Sequence, residues 1–165
     1  MSICLPGSVS QACAETAPRQ SDDELTLLLA RYTDKTEELV RESLEHIGVD
    51  YSYGGTSPDE GFDCSGFVQW VFRAAVGENL PRTAKAQSQA GRSVRKNELQ
   101  PGDLIFFNTL RRAFSHVGVY LGDGHFIHSP RRGAYVRVDD MRKKYWAQRF
   151  NGARRVFDDT TSWAD

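Results

Sequence analysis

The sequence is organised around the stretch Gly61-Phe62-Asp63-Cys64-Ser65-Gly66-Phe67-Val68. A cysteine follows an aspartate there, at the start of a predicted helix over residues 64–76. Apolar residues in this helix recur at helical spacing, which predicts a wide buried face made of Phe67, Val68, Val71, Phe72 and Ala75. Asp63 is the expected N-cap and Gly77 the expected stop. Cys64 is therefore predicted to lie at the N-terminus of a buried helix.

Cys64 by itself has two interpretations. The unpaired N–H groups and the positive dipole at a helix N-terminus favour the thiolate, which is the reactive form of cysteine. A free cysteine is, however, commonly a small buried hydrophobic residue. The other two cysteines, Cys4 and Cys13, lie in the first twenty residues. A lone cysteine with histidines elsewhere is a candidate nucleophile, so the histidines must decide between the two interpretations.

The bulk composition indicates one globular domain. The chain has 165 residues, 39% hydrophobic and 26% charged, and no apolar run approaches the ~20 residues of a membrane-spanning helix. Residues 131–155 hold nine bases and two acids, whereas residues 21–60 hold eleven acids and three bases. Both blocks suit a solvated surface, and the basic block also suits attraction to an anionic polymer. Aromatic residues are not interleaved with these bases, so no nucleic-acid partner is expected.

Residues 1–20 are predicted to be a leader, and residues 21–165 a single domain. Ala12-Cys13-Ala14 has the form of a signal-peptidase site, but the segment before it lacks a basic start and an apolar core. A disordered leader and the remnant of an export signal are therefore both open. Lipid attachment at Cys13, and with it a peripheral or lipid-anchored membrane association, is a further alternative.

The predicted helices come first in the chain and the predicted strands last. Helical periodicity covers residues 22–47 and 64–76, and Thr83 is expected to cap a shorter helix to about residue 90. From Gly102 the pattern becomes that of strands, at 103–107, 116–121, 125–128, 134–138 and 153–157, with a short helix near 141–147. This order predicts an α+β fold with an antiparallel meander.

His116 opens one predicted strand and His128 closes the next. A three-residue turn over 122–124 would pair residues whose numbers sum to 246, which places His128 opposite Gly118 and diagonal to His116. Diagonal neighbours are about 7–8 Å apart, within reach of a ring-to-ring hydrogen bond. One histidine could then orient the other as a base for Cys64. A two-residue turn would instead place His128 on the face of the sheet opposite His116. His125 lies on the face opposite His128 in either case and is expected to be structural or exposed.

A zinc site is the alternative for the same three residues, because cysteine and histidine are common zinc ligands. The sequence contains no CxxC or HExxH spacing, and a single cysteine is a weak basis for a metal site. We expect no metal and no cofactor.

Six segments in series resemble the NlpC/P60 family of bacterial cell-wall peptidases, which are papain-like cysteine enzymes. The segments are Tyr51-Ser52-Tyr53-Gly54-Gly55, Phe62-Asp63-Cys64-Ser65-Gly66-Phe67-Val68, Leu80-Pro81-Arg82, Pro101-Gly102-Asp103-Leu104-Ile105-Phe106-Phe107, His116-Val117-Gly118-Val119-Tyr120 and Phe126-Ile127-His128-Ser129. The resemblance covers about residues 40–157. It implies a papain-like α+β domain whose cysteine helix packs on an antiparallel sheet.

The resemblance also implies a role for each matching residue. Cys64 would be the nucleophile, His116 the base and His128 the orienting third residue. Tyr51 would lie near the oxyanion and the substrate. Asp63 and Ser65 flank the nucleophile where members of the family contact free amino or carboxylate groups of the peptide.

The implied activity is that of a thiol protease hydrolysing peptide bonds of peptidoglycan. The commonest target in the family is the bond between γ-D-glutamate and diaminopimelate. The small Gram-negative murein endopeptidase lipoproteins, which this chain resembles most, often cut the D-alanine–diaminopimelate cross-link. The resemblance implies a periplasmic or cell-envelope location with peptidoglycan peptides as partners, and a monomer is expected. A non-catalytic envelope-binding protein and an amidase, transferase or toxin-type effector on the same fold are the alternatives.

Overall fold

The computed structural model describes residues 20–157, without the side chains of residues 20–25 and 28–33. The predicted leader therefore lies, apart from Gln20, outside the described residues. The described helices are α1 (Gln20–Glu45), α2 (Cys64–Val76), α3 (Ala84–Gln87) and α4 (Lys144–Ala147). The strands are β1 (Thr56–Ser57), β2 (Gly61–Phe62), β3 (Arg92–Val94), β4 (Leu104–Phe107), β5 (His116–Gly122), β6 (His125–His128), β7 (Arg137–Asp140) and β8 (Phe150–Arg155). None of the helices in this part of the chain combines the length and hydropathy needed to cross a membrane.

Six strands form one antiparallel sheet in the order β3-β8-β4-β5-β6-β7. The predicted α+β class with an antiparallel sheet is confirmed. The simple meander is wrong at one edge, because the last strand inserts between β3 and β4. The sequence pattern misses β3, since Arg92-Ser93-Val94 is too short to show alternation. It also places β7 too early, at 134–138 instead of Arg137–Asp140.

Packing of α2 on the sheet fixes the position of the cysteine. The buried side of α2 meets one face of the central strands, formed by Leu104, Phe106, Val117, Val119 and Ile127. Gly66 lets the first turn of the helix approach the preceding loop, because a Cβ there would lie 2.1 Å from the carbonyl oxygen of Gly55. α1 packs against α2 and contributes Leu39 to the same core.

The ends of α2 are capped as predicted. The Asp63 side chain accepts a hydrogen bond from the N–H of Gly66 at 2.7 Å, and Gly77 ends the helix with a left-handed φ of 73°. Thr83 likewise caps α3 by accepting from the N–H of Ala86 at 3.2 Å. α3 ends at Gln87, earlier than predicted. The Asp63 cap fixes the first turn of α2, where Cys64 lies.

The other face of the sheet carries a second core, which α4 covers. This core contains Val94, Ile105, Phe107, Tyr120, Phe126, Met141, Trp146 and Ala153. The rings of His116 and His128 project into the same region, beside Phe107 and Phe126 respectively. The two histidines thus lie in an apolar layer rather than on an open surface.

Candidate active site

The hairpin of β5 and β6 sets the positions of the two histidines. Tyr120 pairs with Phe126, so the paired numbers sum to 246 as predicted. The predicted three-residue turn is wrong, because Gly122 pairs with His125 and leaves only two residues in the turn. The register shifts at Leu121, which is an extra residue in β5. A two-residue turn alone would reverse the faces, but this bulge restores the predicted register.

The two histidines form a direct hydrogen bond, which confirms their predicted diagonal contact. Nε2 of His116 lies 2.7 Å from Nδ1 of His128, and the rings are nearly perpendicular at 84°. Gly118 gives the second ring its space, because a Cβ at Gly118 would lie 3.2 Å from the Cβ of His128 and 2.9 Å from the carbonyl oxygen of Ile127. Gly118 therefore belongs to the site although it has no side chain.

Asp139 continues this arrangement beyond the histidines. Its Oδ2 lies 2.9 Å from Nε2 of His128, and Nε of Arg137 donates to the same oxygen at 3.2 Å. Asp139 was not predicted as a site residue, because the predicted strand over 134–138 ends one residue before it. Since Arg137 pairs with His128, the alternation of β7 would have placed Asp139 on the histidine face had the strand boundary been correct. Both ring nitrogens of His128 are thus occupied by hydrogen bonds.

Trp146 packs against the rings of both histidines. Its ring stacks on His116 with centroids 5.6 Å apart and meets the ring of His128 edge-on at 5.0 Å. His116 and His128 are buried, with exposures of 3% and 0%. The sequence predicts the helix that carries Trp146 but not this contact. The indole limits the access of water to the pair and holds the plane of the His116 ring.

Cys64 and His116 line the same cleft at the N-terminus of α2. The other residues of the cleft are Tyr51, Tyr53, Thr109, Leu110, Ser115, Pro130, Arg131 and Arg132. Sγ of Cys64 lies 4.0 Å from the carbonyl oxygen of Ser115, the residue before His116. Because Nε2 of His116 is bonded to His128, Nδ1 is the ring nitrogen left for a partner in the cleft.

Burial favours the uncharged forms of both cleft groups. Desolvation raises the pKa of the Cys64 thiol to about 11, although backbone N–H groups, including that of Val117, act in the opposite direction. Desolvation also lowers the pKa of His116 well below its usual value. Burial thus acts against the thiolate that the helix N-terminus favours.

Of the two tyrosines before the glycine pair, Tyr51 is the half-buried one. Burial, followed by the nearby Cys64 and Asp63, raises the pKa of its phenol, which places the side chain close to both residues. Its backbone N–H is bonded to the carbonyl oxygen of Ala134 at 2.8 Å. Tyr53 is 83% exposed. Tyr51 is thus the more firmly held of the two.

Asp63 and Ser65 lie beside the cysteine but do not line the cleft. Arg82 binds the two carboxylate oxygens of Asp63 at 3.0 and 2.7 Å, and it also donates to Oγ of Ser65 at 3.0 Å. The N–H of Gly54 adds a further bond to Asp63 at 3.1 Å. The carboxylate therefore joins the tyrosine loop, the start of α2 and the segment before α3. Arg82 belongs to one of the six segments that resemble the family, but no role was predicted for it.

The buried histidines predict a loss of stability in mild acid. Burial lowers the pKa of both His116 and His128, so below about pH 6.5 the unfolded chain binds protons that the folded protein does not. The free energy of unfolding should therefore fall from pH 7 to pH 5, by up to about 1.4 kcal/mol per pH unit for each histidine. Urea unfolding at several pH values measures this slope, and His116→Phe should reduce it. An unchanged slope in that variant would contradict the neutral burial of His116.

The family assignment follows from the segment that carries this geometry. The NlpC/P60 family matches residues 48–155, which include Cys64, His116 and His128. The chain belongs to the NlpC/P60 family. The predicted family and the predicted NlpC/P60 fold are both confirmed.

Relatives of this NlpC/P60 domain include named hydrolases. The gamma-DL-glutamyl hydrolase of Bacillus subtilis (strain 168) is 43% identical over 124 residues, which are 74% of this chain and 30% of that protein. The murein DD-endopeptidase/murein LD-carboxypeptidase MepS of Escherichia coli (strain K12) is 37% identical over 87% of this chain and 74% of its own length. An NlpC/P60 family crystal structure from Bacillus cereus ATCC 10987 has a TM-score of 0.70 and 36% identity, covering 74% of this chain and 40% of that one. The chain thus spans less than half of the two Bacillus proteins.

Proposed function

We propose that this chain is a cysteine endopeptidase that hydrolyses peptide bonds of peptidoglycan. The observation that carries the proposal is the cleft shared by Cys64 and His116, with the second nitrogen of His116 bonded to His128 at 2.7 Å. A nucleophile, a base and an orienting group are the parts that thiol catalysis needs. The family relatives named as a gamma-DL-glutamyl hydrolase and a murein DD-endopeptidase support the substrate class. A binding module on the same fold would not require this arrangement.

In the proposed reaction, Nδ1 of His116 removes the proton from Cys64 as the sulfur attacks the scissile carbonyl carbon. The resulting oxyanion accepts hydrogen bonds from the backbone N–H of Cys64 and from the hydroxyl of Tyr51, and a donor of this kind is worth about 2.7–4 kcal/mol. The C–N bond then breaks as His116 passes its proton to the leaving amine, which leaves a thioester on Cys64. Water, deprotonated by His116, hydrolyses the thioester and restores the thiol. His128 holds the ring of His116 throughout.

The proposed scissile bonds are γ-D-glutamate–diaminopimelate and D-alanine–diaminopimelate. Both lie in stem peptides that carry free carboxylates. Arg131 and Arg132 line the cleft, and neither guanidinium has an ion-pair partner among residues 20–157. Their unneutralised charge supports a substrate with carboxylates close to the scissile bond.

Asp63 and Ser65 are proposed to contribute to substrate binding at the start of α2. Their bonds to Arg82 leave the guanidinium half-exposed beside the nucleophile. A substrate amino or carboxylate group could reach this polar cluster from the cleft. Because the proposed substrate is peptidoglycan, we propose a cell-envelope location, with the periplasm as the compartment.

Digestion of purified muropeptides, followed by mass spectrometry of the products, tests the proposed function. The expected result is a pair of fragments with a new carboxylate and a new amine at one of the two proposed bonds. Cross-linked and uncross-linked muropeptides used in parallel identify which bond is cut, and a peptide-free disaccharide is the control. Unchanged muropeptides, or cleavage within the glycan, would contradict the proposal.

A further inference from the structure

A series of hydrogen bonds links side chains on three neighbouring strands, starting at His116 in the cleft. His116 on β5 bonds to His128 on β6 at 2.7 Å, and His128 bonds to Asp139 on β7 at 2.9 Å. Each step is diagonal on one face of the sheet, because His128 is paired with Arg137 and Asp139 follows two residues later. This series of hydrogen bonds therefore ends at the carboxylate of Asp139, which does not line the cleft.

The Asp139 carboxylate, at the end of this series of hydrogen bonds, is negatively charged at neutral pH. Burial raises the pKa of Asp139, but the hydrogen bond to His128 and the charges of His128 and Arg137 outweigh burial and lower it overall. An ionised carboxylate can only accept hydrogen bonds. Nε2 of His128 must therefore carry a proton that it donates to Asp139.

This single constraint fixes the protons of both rings. Burial lowers the pKa of His128, so the ring is neutral, and its Nδ1 then has no proton and accepts. The hydrogen bond between the rings must consequently be donated by Nε2 of His116. A neutral His116 with its proton on Nε2 has its lone pair on Nδ1, the nitrogen left for the cleft.

We propose that Asp139 is a positioning residue that sets the tautomers of both histidines and so makes Nδ1 of His116 the base. The proposal rests on the proposed function only for the identity of the reaction, since the tautomers are a property of the free protein. Asp139 does not line the cleft. It acts through His128, and its charge also stabilises the imidazolium that forms when His116 takes a proton.

Without the Asp139 carboxylate, the hydrogen bonds of this series can be donated in the opposite direction. Nδ1 of His128 would then carry the proton and donate to Nε2 of His116. His116 would hold its own proton on Nδ1 and could not accept one from Cys64. The two directions keep the same heavy-atom contacts, so only the protons distinguish them.

The test replaces Asp139 with leucine, which cannot accept a hydrogen bond, and with asparagine, whose uncharged amide can accept or donate one. Multiple-bond ¹H–¹⁵N correlation spectra of histidine-labelled protein should show the Nε2–H tautomer at both histidines in the wild type. In Asp139→Leu a population with Nδ1–H at His128 should appear, and kcat on muropeptides should fall about 10²-fold with KM little changed. Asp139→Asn should also admit the Nδ1–H tautomer at His128, because its amide NH₂ can donate to Nε2, and kcat should fall.

Asp140→Asn is the matched control, because Asp140 is bonded to Arg142 instead of to the histidine chain. It should keep the tautomers and kcat. An Nδ1–H tautomer at His128 in the wild type would overturn the proposal, and so would wild-type tautomers in Asp139→Leu. The spectra report on Asp139 even if the wild type cleaves no muropeptide, which separates failure of this inference from failure of the proposed function. If the leucine variant does not fold, an unchanged kcat in Asp139→Asn would overturn the proposal, whichever tautomer its spectra show.

Discussion

Cys64→Ala should reduce the rate of muropeptide cleavage by roughly 10³- to 10⁶-fold without unfolding the domain. The large loss is expected because the alanine methyl cannot form a thioester, and water would have to attack the scissile bond directly. The fold should persist because the change removes one sulfur atom at the wall of a cleft and leaves the Asp63 cap of α2 in place.

Initial rates on a single muropeptide, with circular dichroism of each protein, measure this effect. His125→Ala is the matched control. His125 starts β6, its side chain lies on the face of the sheet opposite Phe126 and His128, and it does not line the cleft. It should retain the wild-type rate. A Cys64→Ala protein that keeps a tenth or more of that rate would exclude Cys64 as the nucleophile.

Asp103→Ala should destabilise the domain by about 3–5 kcal/mol. Asp103 and Arg155 are buried, with exposures of 1% and 8%, and form two charge-assisted bonds of 2.7 and 2.8 Å. Removal of the carboxylate takes both of these bonds from a guanidinium that stays buried. The pair ties the start of β4 to the end of β8, the strand that inserts within the sheet. A loss of this size is a large part of the stability of an ordinary domain.

Urea unfolding followed by tryptophan fluorescence measures this change. The double variant Asp103→Leu/Arg155→Met should be much more stable than Asp103→Ala, because it removes both charges at once. Asp140→Asn, which breaks a solvent-exposed ion pair with Arg142, should change the unfolding midpoint little. A midpoint for Asp103→Ala equal to that of Asp140→Asn would contradict a structural role for the buried pair.

The parts of the fold that the sequence predicts well depend on local signals. α2 begins and ends where its cap residues, Asp63 and Gly77, indicate. The strand at His125–His128 likewise follows from its local pattern. Insertion of β8 between β3 and β4 has no local signal, because it depends on packing between segments about sixty residues apart.

The candidate site was predictable to the extent that one register determines it. The correct register of the hairpin arises from a two-residue turn plus the bulge at Leu121, and alternation alone cannot show the bulge. Asp139 required the register of a second strand pair and the correct boundary of β7. The direction in which the pKa of the Cys64 thiol shifts could not be predicted, because burial has the largest effect on it and burial depends on the complete tertiary structure.

The most direct test of the central claim is capture of an acyl group on the cysteine. Wild-type protein is mixed with excess muropeptide in the presence of hydroxylamine. One portion is quenched rapidly in acid and the rest reacts to completion. The two samples are then analysed by mass spectrometry. A thioester mechanism predicts a hydroxamate of the acyl fragment that increases with hydroxylamine at the expense of the free acid. It also predicts that any adduct in the quenched sample maps to the peptide containing Cys64. Cleavage that yields only the free acid, with neither hydroxamate nor adduct, would contradict Cys64 as the nucleophile.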